Sequence, residues 1–310
     1  MSATLLAAAC GQGADDEAGD ASKAEKAFAE RGKAVAEAWD DVDLDAEWTE
    51  DLVLLDQIAT LPEGAELDEA QESGFNAGWY ELDAELPDEL PGDQAKIDGD
   101  ALDVDVYDAQ TAYDQALAVG GEPPADCPRE PVPDETADGA GDDDDAVGHT
   151  AVCGVLTVVG AEPATTQRWT SRGMAELPAW DFAVEGVEGS VTVVAFEPVQ
   201  ATQLPQVDIG EYDDAPEGTK SAERLESIDD ATVTFLLGVG ACDTDPRPLA
   251  YEADDVVVVA GTAEYDGSEM CTDELVYEPV SVDLDAPLGD RMVVDGVFGR
   301  VLSMSGYLAG

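Results

Sequence analysis

The sequence predicts an α+β, β-rich protein in which an N-terminal helix and a small strand–helix unit precede antiparallel β modules. Three observations carry this expectation. Ser22-Lys23-Ala24-Glu25 has the form of a capping box, and Ala24, Phe28, Val35 and Trp39 follow it as one apolar stripe at near-helical spacing. Beyond residue 154, runs rich in Val, Thr and aromatic residues recur about every ten to fifteen positions between Gly and Pro signals, with no long helical pattern among them. A chain of 310 residues, 44% of them hydrophobic, also has enough apolar material for a sizeable core.

The first ten residues read as the truncated end of a lipoprotein signal. Leu5-Leu6-Ala7-Ala8-Ala9 is an apolar run that stops on Cys10, and Gly11 opens a Gly/Ala/Asp stretch. A cysteine in that position is acylated and becomes the mature N-terminus. Lipidation of Cys10 would place the protein on the extracytoplasmic face of the membrane, with the bilayer as its partner. The basic n-region of a full secretory signal is missing from the nine residues before it. Residues 11–21 read as an acidic linker.

Residues 22–121 are expected to form the helix and a small mixed α/β unit. Leu67 to Tyr80 reads as a helix with Ala70, Phe75 and Trp79 inward. Leu102, Val104 and Val106 alternate with Asp103 and Asp105 as in a half-buried strand, and a helix from about Ala109 to Ala118 follows. The acids Asp98, Asp100, Asp103 and Asp105 lack the glutamate an EF-hand needs at its twelfth position, where Ala109 stands, so they are expected to form a solvated turn.

A first β module spans residues 122–210, with an acidic insertion near 134–147, and a second spans 211–310. Strands are expected at Val155–Val159, Ala179–Val184, Val191–Phe196, Val233–Val239, Val256–Val259, Val280–Leu284 and Met292–Val294, with a hairpin turn at Asp295-Gly296. Such a series implies sandwich-like antiparallel sheets. Asp142-Asp143-Asp144-Asp145 repel one another and belong on an exposed loop, where they are weak candidates for collecting a divalent cation such as calcium. No other cofactor is expected.

Setting Cys10 aside leaves Cys127, Cys153, Cys242 and Cys271, an even set suited to two disulfides in an oxidising compartment. Of three connectivities, Cys127–Cys153 and Cys242–Cys271 are favoured, because each pair lies within one apparent module and closes a short loop. A zinc site fares worse, since no CxxC occurs and the single histidine, His149, has no ligand at finger-like spacing.

Thirteen basic residues stand against 72 acidic ones, a formal net charge of −59. Such a coat excludes nucleic acid as a partner. At molar salt the Debye length falls to roughly 3 Å, so self-repulsion is screened and the charge reads as halophilic adaptation to saline surroundings.

Thr170-Ser171-Arg172-Gly173, Leu177-Pro178-Ala179-Trp180-Asp181-Phe182, Cys242-Asp243-Thr244-Asp245-Pro246-Arg247-Pro248-Leu249, Cys271-Thr272 and Pro287-Leu288-Gly289-Asp290-Arg291 resemble segments of uncharacterised actinobacterial lipoproteins. In those proteins a lipobox precedes a strand–helix unit and two cysteine-bearing β modules. The resemblance covers most of residues 50–302 and implies secretion and lipid anchoring, with no known activity. This chain departs from the pattern by its acidity and by the long insertion between Cys127 and Cys153.

Catalytic patterns are scarce. His149 sits beside the acidic loop, there is no GxSxG elbow, and no phosphate-binding Gly-rich loop stands between a strand and a helix. Trp169, Trp180 and Tyr251 are the candidate sugar-stacking aromatics, with Trp180 on a strand period that favours the core. Arg168, Arg172, Arg247, Arg291 and Arg300 are expected to pair with carboxylates, Arg172 and Arg247 at turns, with an anion-binding spot as the alternative. The expectation is therefore a non-catalytic envelope protein acting as a binding or structural module on an unknown envelope protein or glycan. An extracellular enzyme or accessory acting on cell-wall or extracellular polysaccharide is the first alternative, and a divalent-cation binder the second.

Overall fold

Twenty-eight residues, Gly13–Asp40, form helix α1, the longest element among the described residues. The structure, a computed structural model, describes residues 13–42, 44, 48, 51–62, 64–88, 90–97, 100–121, 123–124, 127, 153–196, 204–210, 215–265, 267, 271–272 and 274–304, with the side chains of α1 from Lys23 onward. Cys10, Asp142, Asp143, Asp144, Asp145 and His149 lie outside the described residues. The helix begins well before the Ser22 capping box, so residues 13–21 are helical and not a linker. Ala14, Glu17, Ala18 and Ala21 are good helix formers, and acids near a helix N-terminus suit its dipole.

Among the described residues 46% are in strands and 18% in helices, which puts the fold in the β-rich α+β class. The chain divides into two units, and the division does not follow the sequence expectation. Unit 1 comprises residues 1–55, 171–173 and 200–310, and unit 2 residues 56–170 and 174–199. Helix α1 thus belongs with the C-terminal β strands, while the mixed segment supplies strands to the first β module.

Unit 2 holds a seven-stranded sheet. Its strands are β1 (Ala59–Thr60), β2 (Tyr80–Leu82), β3 (Gln94–Ile97), β4 (Asp100–Asp103), β5 (Leu156–Thr170), β6 (Gly173–Val184) and β7 (Ser190–Val194). The order is β1-β7-β6-β3-β4, with β5 pairing both β6 and β2. Most pairs are antiparallel, but β2 and β5 run parallel, with Tyr80 opposite Leu156. The half-buried alternation expected from Leu102 to Val106 is present, although β4 itself ends at Asp103.

Helix α2 (Glu69–Ala77) is fixed at both ends. Asp68 Oδ1 accepts from the Gln71 amide at 2.7 Å and Gln71 Oε1 accepts from the Asp68 amide at 2.9 Å, a reciprocal capping box. Gly78 closes the helix at φ 66°, a left-handed geometry that glycine adopts without strain. Helix α3 (Ala109–Ala112) runs on through a π turn to Leu117 and a 3-10 turn to Gly120. Ala112, Tyr113 and Leu117 pack there with Tyr80, Leu156, Val158, Trp180 and Phe182 in one core.

Unit 1 contains two sheets. One is antiparallel, in the order β13 (Leu275–Asp283), β10 (Thr232–Gly240) and β9 (Ala222–Asp229). The other is β11 (Asp243–Glu252), β12 (Val256–Tyr265) and β14 (Met292–Asp295), with β8 (Thr219–Lys220) on β12. Val256 to Val259 are buried throughout, the mark of a strand covered on both faces. The sheets pack face to face, with Leu237 of β10 against Gly261 of β12. β12 and β14 run parallel, because β13, a strand of the opposite sheet, makes the crossover between them. The expected antiparallel arrangement is therefore mixed in both units.

Phe28, Val35 and Trp39 are buried on the face of α1 that meets β11 and β12. Gly32 permits this approach: a Cβ there would stand 2.7 Å from Tyr251 Cγ and closer still to its Cβ. On a free helix surface Gly→Ala stabilises by about 1 kcal/mol, whereas overpacking costs roughly 1–3 kcal/mol. Because Tyr251 Cβ is fixed to its backbone, overpacking should win. Urea unfolding of Gly32→Ala should show a net loss of about 1–2 kcal/mol, and a gain would mean that α1 does not dock through this glycine.

Candidate functional site

The solvent face of the three-stranded sheet is defined by two side-chain contacts. Thr234 and Ser281 hydroxyls lie 2.9 Å apart, and Thr232 Oγ1 donates to Asp283 Oδ1 at 2.8 Å. Strand alternation then places Pro279, Tyr277 and Leu275 on this same face of β13, while Val280 points to the core. Across the ladder, Tyr277 stands opposite Gly238 and Leu275 opposite Gly240. These glycines leave the sheet without side chains beside them. Leu275 lies over the Gly238 position, which Glu223 flanks from the other side.

The same end of unit 1 carries the Cys242–Cys271 disulfide, with Cα atoms 5.9 Å apart. The turn from Gly240 to Asp243 gathers it together with Leu275, Glu274, whose carbonyl accepts from the Ala241 amide, and Tyr265, which pairs with Asp243. Tyr265, Leu275 and Tyr277 are 62%, 55% and 53% exposed, an unusual concentration of large apolar side chains in water on so acidic a protein.

Charges around this patch are mostly matched. Arg300 Nη2 meets Glu223 Oε2 at 2.5 Å and its guanidinium stacks 5.5 Å from the Phe298 ring, while Glu223 Oε1 also accepts from the Ser221 hydroxyl. Lys220 pairs with Asp243, which in addition accepts from the Gly240 amide at 2.7 Å. Burial pushes the Asp243 carboxyl up, but Lys220 and that amide outweigh it and leave it below the ordinary value. Glu278, on the opposite side of β13 from Tyr277 by the same alternation, and Glu274, just before the strand, are exposed and, among the described residues, enter no ion pair.

Asp295 has the strongest acid perturbation. It is fully buried, and burial pushes its carboxyl up to about 6, against the opposing effect of amides from Phe298, Ala222 and Val297 and of Arg300. Oδ1 accepts from Ala222 at 2.9 Å and Oδ2 from Phe298 at 2.6 Å. Both oxygens are thus committed to fastening the 295–300 turn to β9, which makes Asp295 a structural group. The turn expected at Asp295-Gly296 is there, with Val294 bridging Val301.

The arginines singled out from sequence are held within the fold. Arg168, 7% exposed, donates to the carbonyls of Gln57 and Gln167 and to Thr60 Oγ1. Arg247 pairs with Asp245 and Glu264, and Arg291 with Glu252 at 2.8 Å as well as three nearby carbonyls. Arg172 lies in the turn between β5 and β6. Ion pairing of Arg247, Arg291 and Arg300 is as expected, although Arg247 stands within β11 and not at a turn, while Arg168 is satisfied by backbone and a hydroxyl.

Trp169 and Trp180 are fully buried, with Trp180 Nε1 donating to the Tyr107 carbonyl at 3.0 Å, and Tyr251 packs under α1. None of the three forms a sugar platform. Tyr265 and Tyr277 were not singled out from sequence, although the period-two pattern Val276-Val280-Val282 would have turned Leu275 and Tyr277 outward. Cys127 and Cys153 have Cα atoms 5.4 Å apart, so both favoured pairs sit at disulfide distance. No group of three or more metal-ligating side chains occurs among the described residues. No described helix is long and apolar enough to cross a membrane. No family model, curated protein or solved structure matches the chain.

Two outcomes are expected. Asp295 holds its proton in the fold up to about pH 6 but ionises near pH 4 when unfolded, so the folded state binds the extra proton and the stability it contributes is lost as pH rises through that window. In urea titrations, wild type should lose about 2 kcal/mol relative to Asp295→Asn between pH 4 and 7; a pH-independent difference would contradict the assignment. Cys271 is exposed while Cys127 and Cys153 are buried. Mild reductant followed by alkylation should label Cys242 and Cys271 first, and mass mapping that finds all four labelled together would show otherwise.

Proposed function

We propose that the chain is a non-catalytic, lipid-anchored protein of the cell envelope that acts as a binding module on the extracytoplasmic face, in saline surroundings. The pairing of four of the five cysteines at disulfide distance is the observation that carries this reading, because it leaves Cys10 alone at the end of an apolar run. Two disulfides suit an oxidising compartment, and an unpaired cysteine in such a setting calls for a separate role. Acylation is that role, as the resemblance to actinobacterial lipoproteins implies. The −59 charge supports high-salt surroundings, where its repulsion is screened. The exposed strip of Leu275, Tyr277 and Pro279, with Tyr265 nearby, supports binding as the task.

Mass spectrometry of the membrane fraction should find Cys10 carrying a diacylglyceryl group. Cys10→Ser should move the protein out of that fraction without changing its melting temperature. An unmodified Cys10 thiol on a chain retained in the cytoplasm would overturn the reading.

A further inference from the structure

We infer that the peptide bond between Asp245 and Pro246 is a self-cleavage site of the folded chain, cut in mildly acidic surroundings by the Asp245 carboxylate. It is the one Asp-Pro bond in the sequence. An aspartate side chain reaches its own carbonyl carbon by closing a five-membered ring, and the prolyl nitrogen of a tertiary amide leaves as a secondary amine once protonated. Three features of the fold set this bond apart from an ordinary Asp-Pro pair in an unfolded chain.

The first is the backbone. Among the described residues, Asp230 and Asp245 alone combine a side chain with positive φ, at 54° and 51°. Asp230 lies in the turn between β9 and β10, where its carbonyl accepts from the Leu288 amide at 3.0 Å and a left-handed aspartate is ordinary. Asp245 lies inside β11 and precedes a proline, whose Cδ already crowds the residue before it. A bulge accommodates the pair: Thr244 stands opposite Glu264 and Arg247 opposite Thr262, so Asp245 and Pro246 together face the single residue Ala263. Lengthening the bond to Pro246 relieves the left-handed backbone and the proline contact at once.

The second is the nucleophile and its access to water. β11 is an edge of its sheet, and the Asp245 side chain is more than half exposed. Arg247 holds Oδ2 with Nε, at 2.9 Å, and with Nη2, and leaves Oδ1 without a hydrogen bond among the described residues. Oδ1 attacks the Asp245 carbonyl carbon, the C–N bond to Pro246 breaks, and the nitrogen takes its proton from the solvent. The cyclic anhydride left at Asp245 is then opened by one water to two carboxyl groups, so water is the only co-reactant. Around Asp245, β12 brings Glu264, whose Oε1 lies 3.4 Å from Arg247 Nη2, and β8 brings Lys220, already paired with Asp243. α1, β10 and β13, also packed on β11, bring no described group into an ion pair with Asp245.

The third is what happens to the pieces. Cys242 precedes the cut and Cys271 follows it, so their disulfide ties the two parts together. The β10–β13 and β8–β12 ladders also cross the cut. The chain therefore keeps its fold and gains a prolyl N-terminus and a second terminal carboxyl at the edge of β11.

The test incubates the full purified chain in about 1 M NaCl at about pH 5, beside the same chain unfolded in urea at that pH. Intact mass should show the gain of one water. A denaturing gel should show one band without reductant and two with it, and the smaller piece should begin at Pro246. The folded chain should be cut about tenfold faster than the unfolded one, as relief of its backbone conformation implies. Asp245→Asn, which keeps a residue that tolerates the left-handed region, should stop the cut, and Pro246→Ala should slow it about tenfold. Circular dichroism checks that both variants are folded. Equal rates for folded and unfolded chain would overturn the proposal by showing only the lability of the dipeptide. So would a chain that stays intact, cutting undiminished in Asp245→Asn, which would point to a contaminating protease, or pieces that part on the gel without reductant.

Discussion

Unit 1 depends on how one buried turn satisfies its backbone. Residues 295–300 carry amides and carbonyls away from water, and each unpaired group there would cost as much as a lost hydrogen bond. Two side chains of opposite sign divide the task. Asp295 takes the amides of Ala222 and Phe298, and Arg31, from α1, gives its guanidinium protons to the carbonyls of Gly296, Val297 and Ile209 at 3.0, 3.0 and 2.7 Å. The arrangement joins the helix, the start of β9 and the loop at residues 204–210 to the same few peptide groups. Phe28 against Gly296 adds apolar contact at that point. Neither charge has a water-exposed alternative that would leave the turn satisfied, which explains why the fold retains a buried acid that its own burial makes difficult to ionise.

What the sequence made legible is what local chemistry dictates. Helix positions followed from apolar spacing, and the strands from Val155, Val191, Val233, Val256 and Met292 followed from β-rich runs, because covered strands must be apolar on both faces. Besides the short strands β1, β2, β3 and β8, two longer strands escaped for the opposite reason. β9 is largely polar, and β11 contains Asp243, Asp245, Pro246 and Pro248, a composition that reads as loop and is tolerated only because the strand lies at an edge. The parallel pairs were beyond local reading, since direction is set by which sheet each intervening strand joins. Helix α1 ran past Ser22 because a capping box marks only one place where a helix is able to start, and the Ala- and Glu-bearing residues before it continue the helix.

The candidate site was hidden by the same ambiguity. Leu275-Val276-Tyr277 is apolar at three successive positions, so nothing in composition separates the inward residue from the two outward ones. Val280 and Val282 fix the parity, and the Thr234–Ser281 contact makes it visible in the structure. Conversely, Trp169 and Trp180, the most conspicuous aromatics in the sequence, are spent on packing. An aromatic's size draws attention, but its strand parity decides whether it meets solvent.

The hydrogen bond between Arg31 and Gly296 spans 265 residues, and the intervening chain includes nearly all of unit 2. A chain emerging N-terminus first therefore presents α1 long before the carbonyls it needs exist outside the ribosome or the export channel. Its apolar stripe must wait through the synthesis of a second unit whose own pairings are complete within residues 56–199. The order of assembly is thereby inverted with respect to the order of sequence: the interposed unit can close first, and the first helix to appear is among the last to find its place.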